Sequence, residues 1–570
     1  MRKEEALPSH LVNLRPWVRE HWSILSVLGL SLILNTVGIT WGLPNYIDWA
    51  VDTIAPHHVL LAAHHRFSNG WWDFYPPLHY MLIAIPYALL LGGLALTGGL
   101  KNPTTVFPFG LADPLFALTS MILIARIVSA LMGVAIVWFA YQTVRELFDR
   151  RAALFAALII TLFHPLVYYT HNANVDVPYL FWAFLAIYHY VRTLKYGYLR
   201  NYVLFALFAT LSICTKDQAY GLFLLSPLPI LWLRGIEQDG PWGPRKTLGL
   251  LLDKRLLIAG AVAAIIFVLA QNLLFNFSGF VNHVAIITGT GWKDYTSHDP
   301  TWLGRLKLIR DMIWTLYTGL TPPIFVACAA GSLYCAFKYP RHSLPVLFLA
   351  VSFYLTFNTV VVRAAYRFSL PIGIVIGFFG GKLLSVVWYT RSWRILRQVA
   401  VCTILLYEGL FVIQLDTLFL TESRYKAEQY IRTHFAEGAL VETFAPHQFH
   451  KFYPRFPLSL KVRGSRLAAG TQWEVMTTTP DRIFLPNLYQ KQEVPDYIVL
   501  SDTWYGRFLT HKDGSEEGRF LRELFEGQAG YKLIESFKTP TILPNHFKPN
   551  YFKLNPTIVI FSADRAALCP

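Results

Sequence analysis

Up to residue 415 the sequence is a succession of apolar runs, each long enough to cross a hydrocarbon core of ~30 Å. Their positions predict spanning helices over roughly 23–41, 117–143, 152–171, 175–193, 200–215, 217–234, 256–276, 314–337, 344–361, 368–389 and 397–415. Every other loop between them is basic: Arg145, Arg150 and Arg151; Arg192, Lys195 and Arg200; Arg234 through Arg255; Lys338 and Arg341; Arg391, Arg394 and Arg397. Basic loops stay on the cytoplasmic side, so these loops and the N-terminal segment are expected there, and the other loops outside. One run breaks the alternation. Residues 78–98 are apolar enough to span, yet a full crossing would carry Arg145–Arg151 outward. The run is therefore read as a juxtamembrane helix that lies at the interface or re-enters.

After Asp416 the pattern changes. RYKAEQYIRTHF (424–435) has the spacing of an amphipathic helix, and ALVETF, DYIVLSD and TIVIFSA read as short buried strands between Pro- and Gly-rich turns. This divides the chain into residues 1–415, a membrane domain, and 416–570, a small soluble α/β domain on the extracytoplasmic side. The expected fold is mainly α: a polytopic membrane protein of about eleven transmembrane helices, with juxtamembrane helices in the first external loop.

Composition sharpens this picture. Of the 570 residues 54% are hydrophobic and only 15% charged, against about a quarter charged in soluble domains. The net charge of +15 could suggest nucleic acid, but +13 of it falls on the first 415 residues, mostly in short loops between apolar runs. That is a topology signal and not a nucleic-acid footprint. The five cysteines show no metal or disulfide spacing. The expected location is the cell membrane, multi-pass, with a cytoplasmic N-terminus.

Ionisable groups collect at the external edge. Asp52 lies behind the first apolar run, in WGLPNYIDWAVDTIAP, with Asp48 four residues earlier. Asp176 follows in YYTHNANVDVPYLFW, Lys216 in CTKDQAYG, and Arg363 and Arg367 in VVRAAYRFSLP. Arg126 lies one or two turns inside the second spanning helix. Charges near bilayer depth are costly, and a functional reading is the default for them. Opposite signs on one side of a membrane suit transfer of a group from a lipid phosphate. An acid orients or deprotonates the acceptor hydroxyl, and cations neutralise the departing phosphate. Asp52 would be the base, and Arg126, Lys216, Arg363 and Arg367 the phosphate partners. The same residue types also fit plainer roles. Asp52 suits a loop turn, Asp176 a helix cap, and Arg363 and Arg367 interface anchors.

His57, His58, His64 and His65 form two pairs seven residues apart, which places them on one helical face. They could hold a divalent metal, or simply form a solvated interfacial face. Trp71, Trp72, Tyr75 and Tyr80 suit an interfacial aromatic belt.

These segments together resemble a known group. WAVDTIAP with its downstream YPPLHY, ARIVSALMGVAIVWFAYQTVRELFDRRAALFAALII, YYTHNANVDVPYLFW, LSICTK and YRFSLP are similar, in order and over about residues 20–390, to GT-C glycosyltransferases. The branch resembled is that of protein O-mannosyltransferases and aminoarabinose transferases. The resemblance implies a polyprenyl-phosphate-linked sugar donor, extracytoplasmic catalysis and inversion at the anomeric carbon. It maps the first-loop aspartate onto Asp52 and the second external acid onto Asp176. The family usually has Asp-Glu in the first loop, whereas this chain has Asp52-Thr53. Asp48 and Asp73 are the candidates to take over acceptor positioning.

The reading is thus an integral-membrane glycosyltransferase acting on a hydroxyl of a protein, lipid or glycan. A lipid-linked glycan flippase or transporter would share the helices and buried charges, but would carry repeat symmetry and midplane polar groups. A polysaccharide polymerase or ligase would share the rim chemistry and differ in acceptor size.

Overall fold

The structure, a computed structural model, describes residues 14–50, 52–238, 243–289, 296–444, 451–457, 459–463, 466–467, 473–474, 494–510, 516–541, 543 and 554–564. The chain opens with α1 (Leu14–Thr36), followed by a loop that carries α2 (Pro56–His64) and α3 (Leu78–Leu96). Next comes α4 (Pro114–Leu147), 34 residues long. Asp113 starts it by accepting from the Phe116 amide at 2.9 Å, with Pro114 in the first turn. Asp149 caps α5 (Arg150–Thr161) in the same way through the Ala152 amide. That helix bends by 60° into α6 (His164–Thr170). Then follow α7 (Asp176–Tyr196), α8 (Leu199–Ile213), α9 (Tyr220–Phe223), α10 (Pro227–Glu237) and α11 (Pro244–Leu251), with α9 and α10 inside one apolar helical stretch, Asp217–Glu237.

The pairs α12 (Lys254–Ala270) with α13 (Leu273–Thr288), and α14 (Trp302–Gly319) with α15 (Pro322–Lys338), bend by 81° and 116°. α16 (Pro340–Phe353) passes through a π turn into α17 (Thr359–Val361), and α18 (Tyr366–Tyr389) and α19 (Arg394–Thr421) complete the bundle. Among the described residues, six helical stretches are long and apolar enough to cross a membrane, nine if each bent pair counts as one. The protein is mainly α and polytopic, as expected.

Three expected spans need correction: 152–171 bends by 60° between α5 and α6, and two others turn more sharply. The run 314–337 is not one helix: Thr321 has φ +53° and is followed by Pro322 and Pro323, so the chain turns between Gly319 and Pro322. Proline removes an amide donor and disfavours α geometry in the residue before it. The run 256–276 is likewise broken, after Ala270, where Asn272 is left-handed at φ +55°. Hydropathy registers an apolar stretch but not its direction.

α18 runs through the core between α5 and α15. Gly381 meets the Ala156 backbone so closely that an added Cβ would stand 2.4 Å from its nitrogen, the close helix approach that small residues permit. α3 packs beside α2 and the first half of α4, with Tyr80, Ile83 and Tyr87 against Ile54, Val59, Leu118, Met121 and Ala125. Its other face, Ile85, Leu89 and Leu96, is exposed.

Beyond α19, α20 (Ser423–His434) leads into a five-stranded sheet of order β2-β1-β5-β7-β6. The strands are β1 (Leu440–Glu442), β2 (Lys461–Arg463), β5 (Tyr497–Ser501), β6 (Tyr531–Phe537) and β7 (Ile558–Ala563). A separate short pair joins β3 (Arg466–Leu467) and β4 (Trp473–Glu474). β1 is parallel to β2 and β5, and β7 is antiparallel to β5 and β6. Alternate residues of a strand face opposite sides. Val499, Ile558 and Ile560 therefore pack on Ala427 and Ile431 of α20. Ile498, Leu500, Val559 and Phe561 pack on Trp504, Leu521 and Leu524 of α21 (Asp502–Thr510) and α22 (Glu516–Phe525). The helix read over 424–435 and the three strands read after it are all present.

Candidate active site

The first loop is held from below by one arginine. Arg126, on α4, is wholly buried, and so is Asp48. Its Nη2 donates to Asp48 Oδ1 at 2.6 Å, while Nη1 donates to the carbonyls of Ile39 and Trp41 at 2.6 and 2.7 Å. Asp48 also accepts from the amides of Ala50 and Ala173 at 2.9 and 3.4 Å. Six residues beyond Asp48, the Ile54 amide donates to the Ala173 carbonyl at 2.7 Å.

Asp52 lies between these two anchor points. Its φ of +54° is left-handed, a region that aspartate tolerates better than most side chains but that still costs energy. Its carboxylate, 31% exposed, pairs with Arg367 Nη1. Arg367 is the second residue of α18, with Arg363, half-buried, just ahead of that helix. Asp176 opens α7, its amide taken by Asn174 Oδ1 at 3.0 Å. It pairs with Lys216 Nζ at 2.5 Å, and both are buried. The Lys216 ammonium stands 5.7 Å from the ring centres of both Tyr75 and Tyr179. The two pairs share one field: Arg367 feels Asp52, Tyr75, Asp176 and Tyr169, and Lys216 feels Asp176, Arg367 and Asp52.

Of the residues singled out by sequence, the structure thus brings together Asp52, Asp176, Lys216 and Arg367. Arg126 belongs instead to Asp48, beneath the loop. Asp73 lies to one side, accepting from its neighbour's amide, that of Phe74, and facing His58 Nδ1 at 3.2 Å. His283 donates to the Asp73 carbonyl at 2.8 Å and reaches Asp217 at 3.2 Å. His57, His58 and His64 are on α2, and His65 follows at its C-terminus. The four rings meet edge to face as two neighbouring pairs, with centroids 4.5 and 5.6 Å apart. Among the described residues no three His, Cys, Asp or Glu side chains converge as a metal site.

Sequence reasoning missed what the tail domain contributes. Arg424 of α20 is wholly buried; it pairs with Glu422 and lies over the Trp49 ring at 3.9 Å. The Tyr425 hydroxyl accepts from the Gly42 amide at 2.8 Å. Arg455 is held by Glu428 at 2.5 Å and donates to the Pro44 carbonyl at 3.0 Å. Between these contacts comes Lys451, whose carbonyl accepts from Arg424 Nη1. Burial lowers the Lys451 ammonium from its ordinary pKa, and the charges of Asp52 and Asp48 oppose that shift. No local pattern marks these residues, because their contacts with the first loop reach several hundred positions upstream.

Known proteins bear on this arrangement. Residues 114–235 match the dolichyl-phosphate-mannose-protein mannosyltransferase family. No curated protein matches the chain by sequence. Among solved structures, the chain is similar to ArnT of Cupriavidus metallidurans in the apo state, at 13% identity and a TM-score of 0.45, over 97% of this chain and 99% of that one. It is similar to an oligosaccharyltransferase of Archaeoglobus fulgidus tethered to an acceptor peptide, at 13% identity and a TM-score of 0.43, over 77% of this chain and 63% of the other. The chain therefore spans less than two thirds of that protein's length. The S. cerevisiae protein O-mannosyltransferase complex Pmt1–Pmt2, bound to its sugar donor, is similar at 17% identity and a TM-score of 0.32, over 46% of this chain and 34% of that one. Residues 114–235, the stretch that contains Arg126, Asp176 and Lys216, are thus similar to that mannosyltransferase family.

Proposed function

We propose that this protein moves a sugar from a polyprenyl-phosphate donor to an acceptor hydroxyl at the rim that holds Asp52, with inversion. One observation carries the reading: a partly exposed carboxylate on a left-handed backbone, paired with Arg367, beside the buried pair of Asp176 and Lys216. Asp52 takes the proton of the acceptor hydroxyl as its oxygen attacks the anomeric carbon. The bond from that carbon to the phosphate oxygen breaks, and its electron pair leaves with the phosphate. Arg367, Arg363 and Lys216 neutralise the charge that develops there. Arg367 serves two anions, Asp52 at rest and the donor phosphate during transfer. Asp176 holds Lys216 in place.

Asp48 and Arg126 take a different part. Asp48's carboxylate is filled by Arg126 and two amides, which suits a residue that shapes the loop under Asp52. We assign the rim and the tail domain, from residue 416 on, to the extracytoplasmic side of the cell membrane, and the N-terminus to the cytoplasm. The alternating basic loops support this orientation.

The test is purified protein in liposomes with a panel of radiolabelled polyprenyl-phosphate sugars, wild type against Asp52→Asn. Sugar consumption by the wild type that is lost in Asp52→Asn, with donor still bound, is the expected result. Equal consumption by the variant would remove Asp52 from the chemistry. Donor that crosses the bilayer unconsumed would point to a flippase instead.

A further inference from the structure

Three aspartates of the first loop and the α7 start each have a cation: Asp48 has Arg126, Asp52 has Arg367 and Asp176 has Lys216. Lys451 is a fourth, from a different domain. It is partly buried, it lies in the field of both Asp52 and Asp48, its Nζ stands 5.9 Å from the centre of the Phe452 ring, and among the described residues that Nζ has no hydrogen-bond or ion-pair partner. An ammonium drawn partly out of water costs free energy unless an anion pairs with it, and so favours an anionic ligand.

Its position is built and not incidental. Arg424, clamped between Glu422 and the Trp49 ring, fixes the Lys451 carbonyl. Four residues on, Arg455 ties the same segment to Glu428 and to the Pro44 carbonyl. Both ends of 451–455 are thus fastened to loop 41–50, whose Asp48 is in turn fastened to α4. The segment that carries the lysine is thereby held against the loop that leads into Asp52.

We propose that Lys451 binds the phosphate of the lipid-linked donor, so that the tail domain completes the active site instead of merely covering it. This rests on the donor class proposed above. The dianionic or monoanionic phosphate would bridge Lys451 and Arg367, drawing the arginine off Asp52 and freeing the carboxylate for the acceptor hydroxyl. An empty site would keep Asp52 paired, and a loaded one would release it.

The experiment measures binding of a polyprenyl phosphate, and of the matching polyprenol, to the full chain in detergent. Wild type, Lys451→Gln and Lys451→Arg are compared, with thermal unfolding as a check on folding. The expected result is phosphate-dependent binding by wild type, weakened about 10- to 100-fold in Lys451→Gln and largely kept in Lys451→Arg, as for loss of one charge-assisted hydrogen bond. In turnover, the glutamine variant should raise the donor KM and leave the acceptor KM unchanged. Loss of binding in both variants, or in neither, would overturn the role of Lys451 while leaving the donor class standing. Wild type that binds the phosphate no better than the polyprenol would sink the donor class itself, and this proposal with it.

Discussion

Arg367 closes on the Asp52 carboxylate across 315 positions of sequence, joining the first loop to the start of α18. The contact keeps a guanidinium beside the proposed base, where a leaving phosphate would arrive. Because a planar fork can grip carboxylate and phosphate together, lysine is a poor substitute there. Arg367→Gln should lower single-turnover transfer by about 100-fold or more, the scale for removal of one transition-state donor. Arg367→Lys should recover only part of the loss. Transfer by Arg367→Gln at the wild-type rate would show that the pair merely staples the loop.

Asp48 and Arg126 make a second prediction, about stability. Their side chains are 1% and 0% exposed, so removal of either partner strands a buried charge. Asp48→Asn or Arg126→Met alone should cost about 3–5 kcal/mol, while the double variant should cost less than the two added together. It should not return to wild type, because the Ile39 and Trp41 carbonyls also lose their donor. Thermal unfolding of the four proteins in one detergent measures the coupling. Strict additivity would mean that the two residues do not act as a pair.

The same pair shows what a sequence conveys and what it withholds. The helices were legible because an apolar run of membrane length has few other uses, and the tail strands because their apolar runs are short and punctuated by turns. The rim could be assembled from Asp52, Asp176, Lys216 and Arg367, since each lies at the same end of an apolar run. Arg126 read as a phosphate ligand because it was an intramembrane cation with no visible partner; that partner, Asp48, is 78 residues away. The turns at Thr321 and Asn272 were hidden by the continuous hydropathy around them. Lys451 was one of many cations in a charge-balanced domain, and only the docking of Arg424 on Trp49 gives it a place.

Gly42 ties these levels together. Its φ is +73°, and a Cβ there would stand 2.5 Å from the Trp49 ring. Gly42→Ala therefore adds backbone strain and an overpacked contact, together about 1–3 kcal/mol. Trp49 carries Arg424, and the Gly42 amide donates to Tyr425, so the damage should reach the tail domain. Limited proteolysis should release the tail faster in Gly42→Ala than in wild type, with a lower unfolding temperature. An unchanged cleavage rate would mean that the tail is held independently of this loop.

The last prediction concerns pH. Burial lowers the Lys451 ammonium from its ordinary value of 10.5, with Asp52 and Asp48 acting against the shift and Arg424 held at the backbone carbonyl. A lysine shifted in this direction gives up its proton at lower pH than a free one. Its cation is titrated away as pH rises, over a lower range than for a free lysine, so the donor KM should climb on the alkaline side. Arginine does not lose its charge there, and Lys451→Arg should move the limb upward or abolish it. Donor KM followed against pH for both proteins decides the matter: an identical alkaline limb in Lys451→Arg would assign the titration to another group, with Lys216 the next to replace.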